Sequence, residues 1–374
     1  MYAAENHIQL LKNNLSNEVW ESGCEWVWQQ IFPLSMDLTG KHSNQTLQTQ
    51  KKWSSINTMD PAYDQYEKAR EFYRTHEYLA WIGEDESDEE TIRSASEEAL
   101  DQSENANSPA NTDSASAKIS DQPMIYPMQQ LMDYDFLMKH FYNVHTSTTA
   151  DRELMNAKNL LSKDLTLEKE DAPQILIYHT HSQESYKNSK KDENVVAVGQ
   201  KLTDLLTEKG WNVYHDTTVY DLAGGKLDRS RAYTYALEGI NEILARYPSI
   251  QVVLDIHRDG VGENVYLKTE IGGQPSARIM FFNGLSQTPE GPISYLANPF
   301  REDNLAFSLK LQLKAEEYYP GFTRKIYLKG LRYNQHLRAR SALVEVGAQT
   351  NTFEEACNAM MPLAELLDMV LQGK

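Results

Sequence analysis

The chain has 374 residues and a formal net charge of −18, from 54 acidic and 36 basic side chains. This length predicts one sizeable catalytic domain plus additional material, and the negative charge argues against nucleic acid as the main partner, because neutralising phosphates needs a basic surface. The two cysteines, Cys24 and Cys357, lie at opposite ends of the chain and predict neither a disulfide framework nor a thiolate metal site.

Composition divides the part of the chain before residue 171 into three segments. Residues 1–82 combine helical patterning with many aromatic side chains, which predicts a mainly helical region packed on itself or, alternatively, a juxtamembrane stalk. Residues 83–123 are rich in Asp, Glu, Ser and Asn and poor in large apolar side chains, so we expect a disordered acidic linker. Residues 124–170 predict a helical lead-in with a helix over 128–142.

Residues 171–374 alternate predicted strands and helices, which predicts an α/β domain with an open twisted sheet flanked by helices. The predicted strands are 175–177, 211–215, 251–256, 265–267, 277–282 and 341–346. The predicted helices are 194–210, 228–246, 300–318 and 352–371. Two end signals support the first two helices, a glycine at position 210 and an aspartate at position 228.

Side chains that bind metals or protons lie at the ends of three predicted strands. His179, His181 and Glu184 follow the first strand, His257 follows the strand at 251–256, and Glu345 interrupts the last apolar strand. If strand geometry continues, His179 and His181 share a face. The carboxyl ends of strands in an open α/β sheet converge on one crevice, so we expect these groups in one site.

Two histidines and a glutamate are a common ligand set for zinc in hydrolases, with one position left for water. One of His179 and His181, together with Glu184 and His257, would supply that set, and the sequence leaves open which histidine binds. Zinc lowers the pKa of bound water from about 15.7 towards about 7. Glu345 would then act as the general base and acid.

Neighbouring residues predict supporting roles. Asp255 or Asp259 could orient a ligand histidine by accepting a hydrogen bond from its ring. Arg229 and Arg231 open a predicted helix, where they are either solvated or close one side of the cleft. Arg258 is a further candidate for contact with the substrate or with the ligands.

Structural interpretations compete with these roles. A single histidine is more often a hydrogen-bonded structural residue, and we expect this of His215 and His336. Taken alone, Glu345 could be a structural carboxylate paired with Arg338 or Arg340. The joint placement of ligand-type residues at three strand ends favours the metal site.

Motifs from about residue 133 to residue 371 resemble the stage II sporulation protein P family of peptidoglycan hydrolases. That family is similar to the zinc-dependent N-acetylmuramoyl-L-alanine amidases, so the resemblance implies a three-layer amidase-like catalytic domain over 171–374. The motifs that carry it are ILIYHTHSQESY, DRSR, VVLDIHRD, YNQ and ALVEVGAQTNT.

The resemblance also implies roles for individual residues. His257 corresponds to the histidine of the amidases' SIH-type motif and Glu345 to their catalytic glutamate. His181 lies where the amidases have their first histidine. The ligand glutamate departs from the amidase pattern, in which it begins the first helix: Glu184 lies nearer the histidines, and Glu193, at the start of the helix, is its rival.

By resemblance, the protein binds Zn2+ and cleaves the amide between N-acetylmuramic acid and the first L-alanine of the stem peptide during forespore engulfment. The implied partners are peptidoglycan, stage II sporulation protein D, which is a lytic transglycosylase, and other engulfment membrane proteins. The implied location is extracytoplasmic, at the septal and engulfing membrane, through an N-terminal anchor. No apolar run here reaches the roughly 18 to 20 residues that span a bilayer, and we expect a trimmed ectodomain with the acidic linker as its tether.

Two other functions fit parts of the same pattern. A metal-dependent endopeptidase acting on peptide cross-links would use the same zinc-activated water. A non-catalytic wall-binding scaffold would need none of this chemistry, and the presence of both Glu345 and His257 argues against it. Reaction products distinguish the amidase from the endopeptidase, because only the amidase frees stems with an N-terminal alanine.

Overall fold

The structure is a computed structural model that describes residues 123–223 and 226–374. The helical region expected over 1–82 lies outside the described residues, as does the acidic linker expected over 83–123 apart from its last position. The boundaries drawn at residues 124 and 171 stay predictions.

A seven-stranded mixed sheet lies at the centre of the described part of the chain. Its strands are β1 Tyr142–Val144, β2 Ile175–Tyr178, β3 Val213–His215, β4 Val252–Asp259, β5 Ile279–Gly284, β6 Ile326–Lys329 and β7 Arg340–Ala348. The order across the sheet is β1-β6-β5-β7-β4-β2-β3. Neighbouring strands are parallel except for β5 and β7, which pair antiparallel. Three two-stranded hairpins lie outside this sheet, with strands Leu222–Ala223 and Lys226–Leu227, Lys268–Ile271 and Gln274–Ala277, and Gln287–Thr288 and Gly291–Pro292.

Helices cover the sheet on both faces, which confirms the predicted α/β class and its three layers. The helices of the described residues are α1 Met128–Leu131, α2 Tyr134–Phe141, α3 Ala157–Ser162, α4 Val195–Glu208, α5 Arg229–Arg246, α6 Arg301–Tyr318, α7 Phe353–Asn358 and α8 Met360–Gln372. Short 3-10 turns lie at Ser294–Leu296 and Gln335–Leu337. Among the described helices, none combines the length and the apolar character that crossing a membrane requires.

Alternate residues of the inner strands belong to two different hydrophobic cores. Val252, Leu254 and Ile256 of β4 pack in the main core with α4, α6 and α8. Val253 packs in a second core with α5. Because side chains alternate across a strand, the residues between the main-core positions face α5. We call this side of the sheet the α5 face.

Several predicted elements differ in the structure. The helix expected over 128–142 is two helices, because the Asp133 side chain accepts a hydrogen bond from the Phe136 N–H and starts α2 anew. The strand expected over 265–267 is wrong, since the chain there leads into the hairpin at 268–277. The helix expected over 352–371 is divided into α7 and α8.

Two strands of the central sheet were absent from the prediction, and β4 was predicted three residues too short at its carboxyl end. β1 and β6 pair with each other across a long stretch of chain, so neither has a local partner that the sequence pattern could indicate. β4 continues to Asp259, which places His257 inside the strand rather than after it.

Gly199 allows α4 to pass directly over the ring of His179. A Cβ atom at this position would lie 2.5 Å from His179 Cε1 and 2.6 Å from His179 Nε2, closer than atoms that are not bonded can approach. Glycine in a helix interior costs about 1 kcal/mol relative to alanine. The close approach of α4 to the His179 ring therefore explains why position 199 is a glycine.

Gly199→Ala is expected to destabilise the fold by roughly 1–3 kcal/mol, because overpacking against His179 outweighs the better helix propensity of alanine. Urea unfolding followed by circular dichroism measures this. Gly260→Ala is the matched control, since a Cβ there meets nothing within 4 Å. A Gly199→Ala variant more stable than the wild type would contradict the packing argument.

Candidate metal centre

Three of the predicted ligands converge in the structure. His181, Glu184 and His257 each offer one ligand atom, and these atoms all lie within 4.8 Å of one another. Glu184 Oε1 is 3.6 Å from His181 Nδ1, and Glu184 Oε2 is 3.5 Å from His257 Nδ1. We call these three residues the donor group.

A tight turn after β2 brings Glu184 to the histidines. The Glu184 N–H donates to the His181 carbonyl at 3.2 Å, and the Glu184 carbonyl accepts from the Val195 N–H at the start of α4 at 3.0 Å. Asn194 caps α4 by accepting from two backbone N–H groups. The turn is thus fixed at both ends by backbone hydrogen bonds.

Glu184 is buried and surrounded by groups that favour its charged form. The Arg229 guanidinium donates to Oε1, and the Arg258 backbone N–H donates to Oε2 at 3.0 Å. Burial alone would raise the pKa of Glu184, but hydrogen bonding and charge from His181 and His257 outweigh burial and hold the pKa well below its usual range. Glu184 is therefore ionised at neutral pH.

His257 lies between two carboxylates. Its Nε2 is 2.9 Å from Asp255 Oδ1, although the N–H direction is poorly aligned for a hydrogen bond. Burial would lower the pKa of His257, but the charges of Asp255 and Glu184 outweigh it and raise the pKa well above the usual value. Thr180 fixes Asp255 by donating from its N–H at 2.9 Å and from its hydroxyl at 2.6 Å. This environment favours a positive charge at the His257 ring.

His181 is the member of the donor group that solvent can reach, with 17% of its side chain exposed. The centre of its ring lies 5.0 Å from the centre of the His257 ring and 5.5 Å from that of the Tyr233 ring. Burial lowers the pKa of His181 and keeps the imidazole neutral. Its Nε2 atom is buried and has no hydrogen-bond partner among the described residues.

The donor group fits a zinc ion on these grounds. Zinc in hydrolases takes imidazole nitrogen and ionised carboxylate oxygen, so zinc binding would displace the proton that the metal-free His257 holds, and three protein ligands leave a fourth position open. The unpartnered His181 Nε2 and the positive charge favoured beside Glu184 both indicate a bound cation.

Glu345 lies beside the donor group on β7. It pairs in register with His257 of β4, and both residues alternate with main-core positions, so both side chains face α5. Glu345 Oε2 is buried without a hydrogen-bond partner in the described chain. Burial, reinforced by the negative charges of Asp259 and Glu184, raises the pKa of Glu345 to about 8. A carboxyl group with this pKa can both accept and donate a proton near neutral pH.

His179 lies outside the donor group. β2 ends at Tyr178, so strand alternation does not carry over to the HTH residues, and His179 does not share the position of His181. The buried His179 Nδ1 is 2.9 Å from the Ile256 carbonyl, and its Nε2 is 2.9 Å from His215 Nε2. Burial lowers the pKa of His179 to about 4. The structure thus gives His179 and His215 hydrogen-bonded, structural surroundings.

The other candidate residues have separate partners. Glu193 pairs with Lys190 at the surface, at 2.9 Å, and is not part of the donor group. Asp259 pairs with Arg324 and not with a histidine of the donor group. Arg231 is half exposed and lies 3.9 Å from Asp228.

Glu345 and His336 each had a competing structural interpretation in the sequence. Arg338 and Arg340 donate to the backbone carbonyls of Ile250 and Leu165, so neither pairs with Glu345. His336 lies on the 3-10 turn after Asn334 and is not part of the donor group, and burial lowers its pKa to about 3. The hydrogen-bonded setting expected for His336 is not seen at Nδ1, which is buried without a partner among the described residues.

Sequence reasoning missed the contacts that Thr180 and Tyr233 make with the site. Thr180 stands between the two histidines of the HTH motif and binds Asp255, while Tyr233 lies one helical turn after Arg229 on α5. The four-residue spacing of Arg229 and Tyr233 was the available signal, because such residues share a helix face.

Comparisons with known proteins agree with the motifs. The sequence pattern of the family described as Stage II sporulation protein P (SpoIIP) matches residues 43–368. Stage II sporulation protein P of Bacillus subtilis (strain 168) is 28% identical over 214 residues, which are 52% of this chain and 50% of that protein. The match therefore spans about half the length of this curated relative.

Two solved amidase structures are distantly similar in fold. The CwlD amidase of Clostridioides difficile, in complex with the GerS lipoprotein, is 16% identical with a TM-score of 0.34, over 52% of this chain and 99% of that chain. The apo form of the N-acetylmuramyl-L-alanine amidase Ami1 from Mycobacterium abscessus is 15% identical with a TM-score of 0.28, over 54% of this chain and 97% of that chain. At this distance neither structure indicates an activity for this chain.

Arg229→Gln is expected to weaken zinc binding by about 10- to 100-fold, the usual effect of removing a group that orients a metal ligand. Competition with a chromogenic chelator measures the affinity. Arg231→Gln is the matched control, because Arg231 is half exposed and does not contact Glu184. Equal zinc affinity in the Arg229→Gln variant and the wild type would disprove the supporting role of Arg229.

In the metal-free protein, stability should fall as pH rises from the ordinary glutamate pKa towards about 8, the folded-state pKa of Glu345. In that window the folded chain holds a proton that the unfolded chain has released. Glu345→Gln removes this dependence, so its advantage over the wild type should grow from about pH 5 to about pH 9, as measured by urea unfolding with chelator present. A constant difference across this range would mean that Glu345 has an ordinary pKa.

Proposed function

Because this chain belongs to the Stage II sporulation protein P family, we propose that it is a zinc-dependent peptidoglycan hydrolase of sporulation that cleaves the amide between N-acetylmuramic acid and the first L-alanine of the stem peptide. The observation that carries the proposal is the convergence of His181, Glu184 and His257 within 4.8 Å, with Glu345 beside them on the same face of the sheet.

His181, Glu184 and His257 would hold the zinc ion. When bound, zinc polarises the amide carbonyl and makes an attacking water acidic enough to react near neutral pH. Arg229 and the Arg258 N–H keep Glu184 ionised and fixed in place. Asp255, held by Thr180, stabilises charge on the outer nitrogen of His257.

Glu345 would move the proton. It lies next to His257 but outside the donor group, so its carboxyl group is available to take a proton from the attacking water and to deliver it to the leaving amine. Without zinc the pKa of Glu345 is about 8. The charge of a bound zinc ion would lower this pKa, and proton transfer is most efficient when the pKa lies close to the working pH.

The setting of the reaction is also part of the proposal. The substrate would be peptidoglycan at the septal and engulfing membrane, outside the cytoplasm, with the protein held there by an N-terminal anchor. Stage II sporulation protein D, a lytic transglycosylase, and other engulfment membrane proteins would act with it. Removal of the stem peptides by the amidase would leave a bare glycan strand as the substrate of the transglycosylase.

Digestion of purified peptidoglycan, with and without a chelator, tests the proposal through mass spectrometry of the soluble fragments. Free stems with N-terminal alanine, lost on chelation and restored by zinc, are expected. Stems still attached to sugar would instead indicate an endopeptidase. Absence of release with zinc present would argue against catalysis by this chain alone and for a wall-binding role.

Glu345→Gln should keep its zinc but release stems at least about 100-fold more slowly, the usual contribution of a general acid or base. His257→Ala should lose zinc as well as activity, because it removes a ligand. Zinc content by atomic absorption and stem release by mass spectrometry separate the two effects, with Arg246→Gln, an exposed arginine at the other end of α5, as the unaffected control. An undiminished rate in Glu345→Gln would rule out proton transfer by this residue.

A further inference from the structure

A row of aromatic side chains leads from the donor group across the α5 face. The centre of the Tyr233 ring is 5.5 Å from the centre of the His181 ring and 5.4 Å from that of the Tyr333 ring. The Phe282 ring comes next, with its centre 4.7 Å from that of Tyr333. The centre of the Tyr327 ring lies 5.6 Å from that of Phe282. We call Tyr233, Tyr333, Phe282 and Tyr327 the aromatic row.

Strand register ties the aromatic row to the reacting groups. Phe282 of β5 pairs with Leu343 of β7, two residues before Glu345 and on the same face. Two residues along a strand correspond to about 7 Å. Tyr327 of β6 pairs in register with Phe282, so the row continues sideways towards the edge strand β1.

The α5 face becomes more open towards this edge. Phe282 is 6% exposed, Tyr327 is half-buried, and Asn143 of β1, which pairs with Tyr327, is exposed. Within the described residues, Phe282 and Tyr327 belong to neither the main core nor the second core. Within the aromatic row, Tyr233 and Phe282 are therefore buried, whereas Tyr333 and Tyr327 are only half-buried.

Tyr333 is held in an unusual backbone conformation. Tyr333 and Asn334 have φ angles of 46° and 55°, which residues other than glycine rarely adopt. Two side-chain amides fix this segment: Asn334 donates to the Tyr233 carbonyl at 2.8 Å, and Gln335 donates to the Phe282 carbonyl at 2.9 Å. Conformations of this kind persist where surrounding contacts enforce them, and they are concentrated at ligand sites. Here the enforced conformation places the Tyr333 ring between α5 and β5.

The two sides of the donor group differ in charge. Arg229 and Arg231 lie at the start of α5, whereas the side chains of the aromatic row are neutral. A peptidoglycan amide joins a neutral hexosamine to an anionic peptide. Aromatic rings match the apolar C–H face of a sugar ring.

On these grounds we infer that the aromatic row is the binding site for the glycan strand, with hexosamine rings stacked on Tyr333 and Tyr327. This inference rests on the proposed function and fixes the substrate's direction. The sugar side of the scissile amide lies over the aromatic row, and the peptide side lies towards the arginines.

Binding of chitohexaose, a neutral N-acetylglucosamine oligomer without any stem peptide, tests the aromatic row separately from cleavage. Isothermal titration of the zinc-loaded full chain should detect binding. Tyr333→Leu and Tyr327→Leu should each weaken it by about tenfold, the scale of one aromatic stacking contact. Tyr333→Phe should retain binding. Tyr318→Leu is the matched control, since Tyr318 is 49% exposed on α6, which packs in the main core on the opposite face.

A second titration with the tripeptide L-Ala-D-Glu-L-Lys should give the same affinity in the wild type and in both leucine variants. Zinc content and thermal midpoint show whether the variants are folded. The inference is overturned if the wild type does not bind chitohexaose, or if folded Tyr333→Leu and Tyr327→Leu variants bind it as well as the Tyr318→Leu control. Failure of stem release in the digestion experiment, with tyrosine-dependent chitohexaose binding intact, would reject the amidase reaction and keep the glycan site.

Discussion

The negative charge of Glu184 is the constraint around which the site is organised. Only 6% of this residue is exposed, and a buried carboxylate costs several kcal/mol unless it is paired. The pairing groups come from separate elements: Arg229 from α5, the Arg258 N–H from β4, and His181 from the turn after β2. The charge can be held only when all three elements are in place, so the geometry of the donor group depends on the complete domain.

Glu184 and Glu345 show how environment gives the same side chain different chemistry. Glu184 has an arginine, a backbone N–H and two histidines around it, and its pKa is held low. Glu345 has carboxylates nearby and no aligned hydrogen bond to Oε2 among the described residues, and its pKa rises to about 8. One carboxyl group is suited to hold a cation and the other to carry a proton. Divergent pKa values in one site are a common basis for assigning such roles.

The α5 face carries both the donor group and the aromatic row. The two-residue repeat of β4 and β7 places Asp255, His257 and Glu345 on this face, while their neighbours fill the main core. The same face of β5 and β6 carries Phe282 and Tyr327. A single face of the sheet thus holds the donor group, Glu345 and the proposed glycan contacts.

Local patterns in the sequence determined most of the inner strands and long helices, because apolar runs, caps such as Asp228 and glycines act over a few residues. They also indicated His181, Glu184, His257 and Glu345 as candidates, since each lies at or near a strand end. The tertiary structure places His181 and Glu184, and not His179 or Glu193, beside His257, and it revealed β1, β6 and the aromatic row. These outcomes depend on which distant segments pair, such as β4 with β7, and a single sequence does not show pairing between segments far apart in the chain.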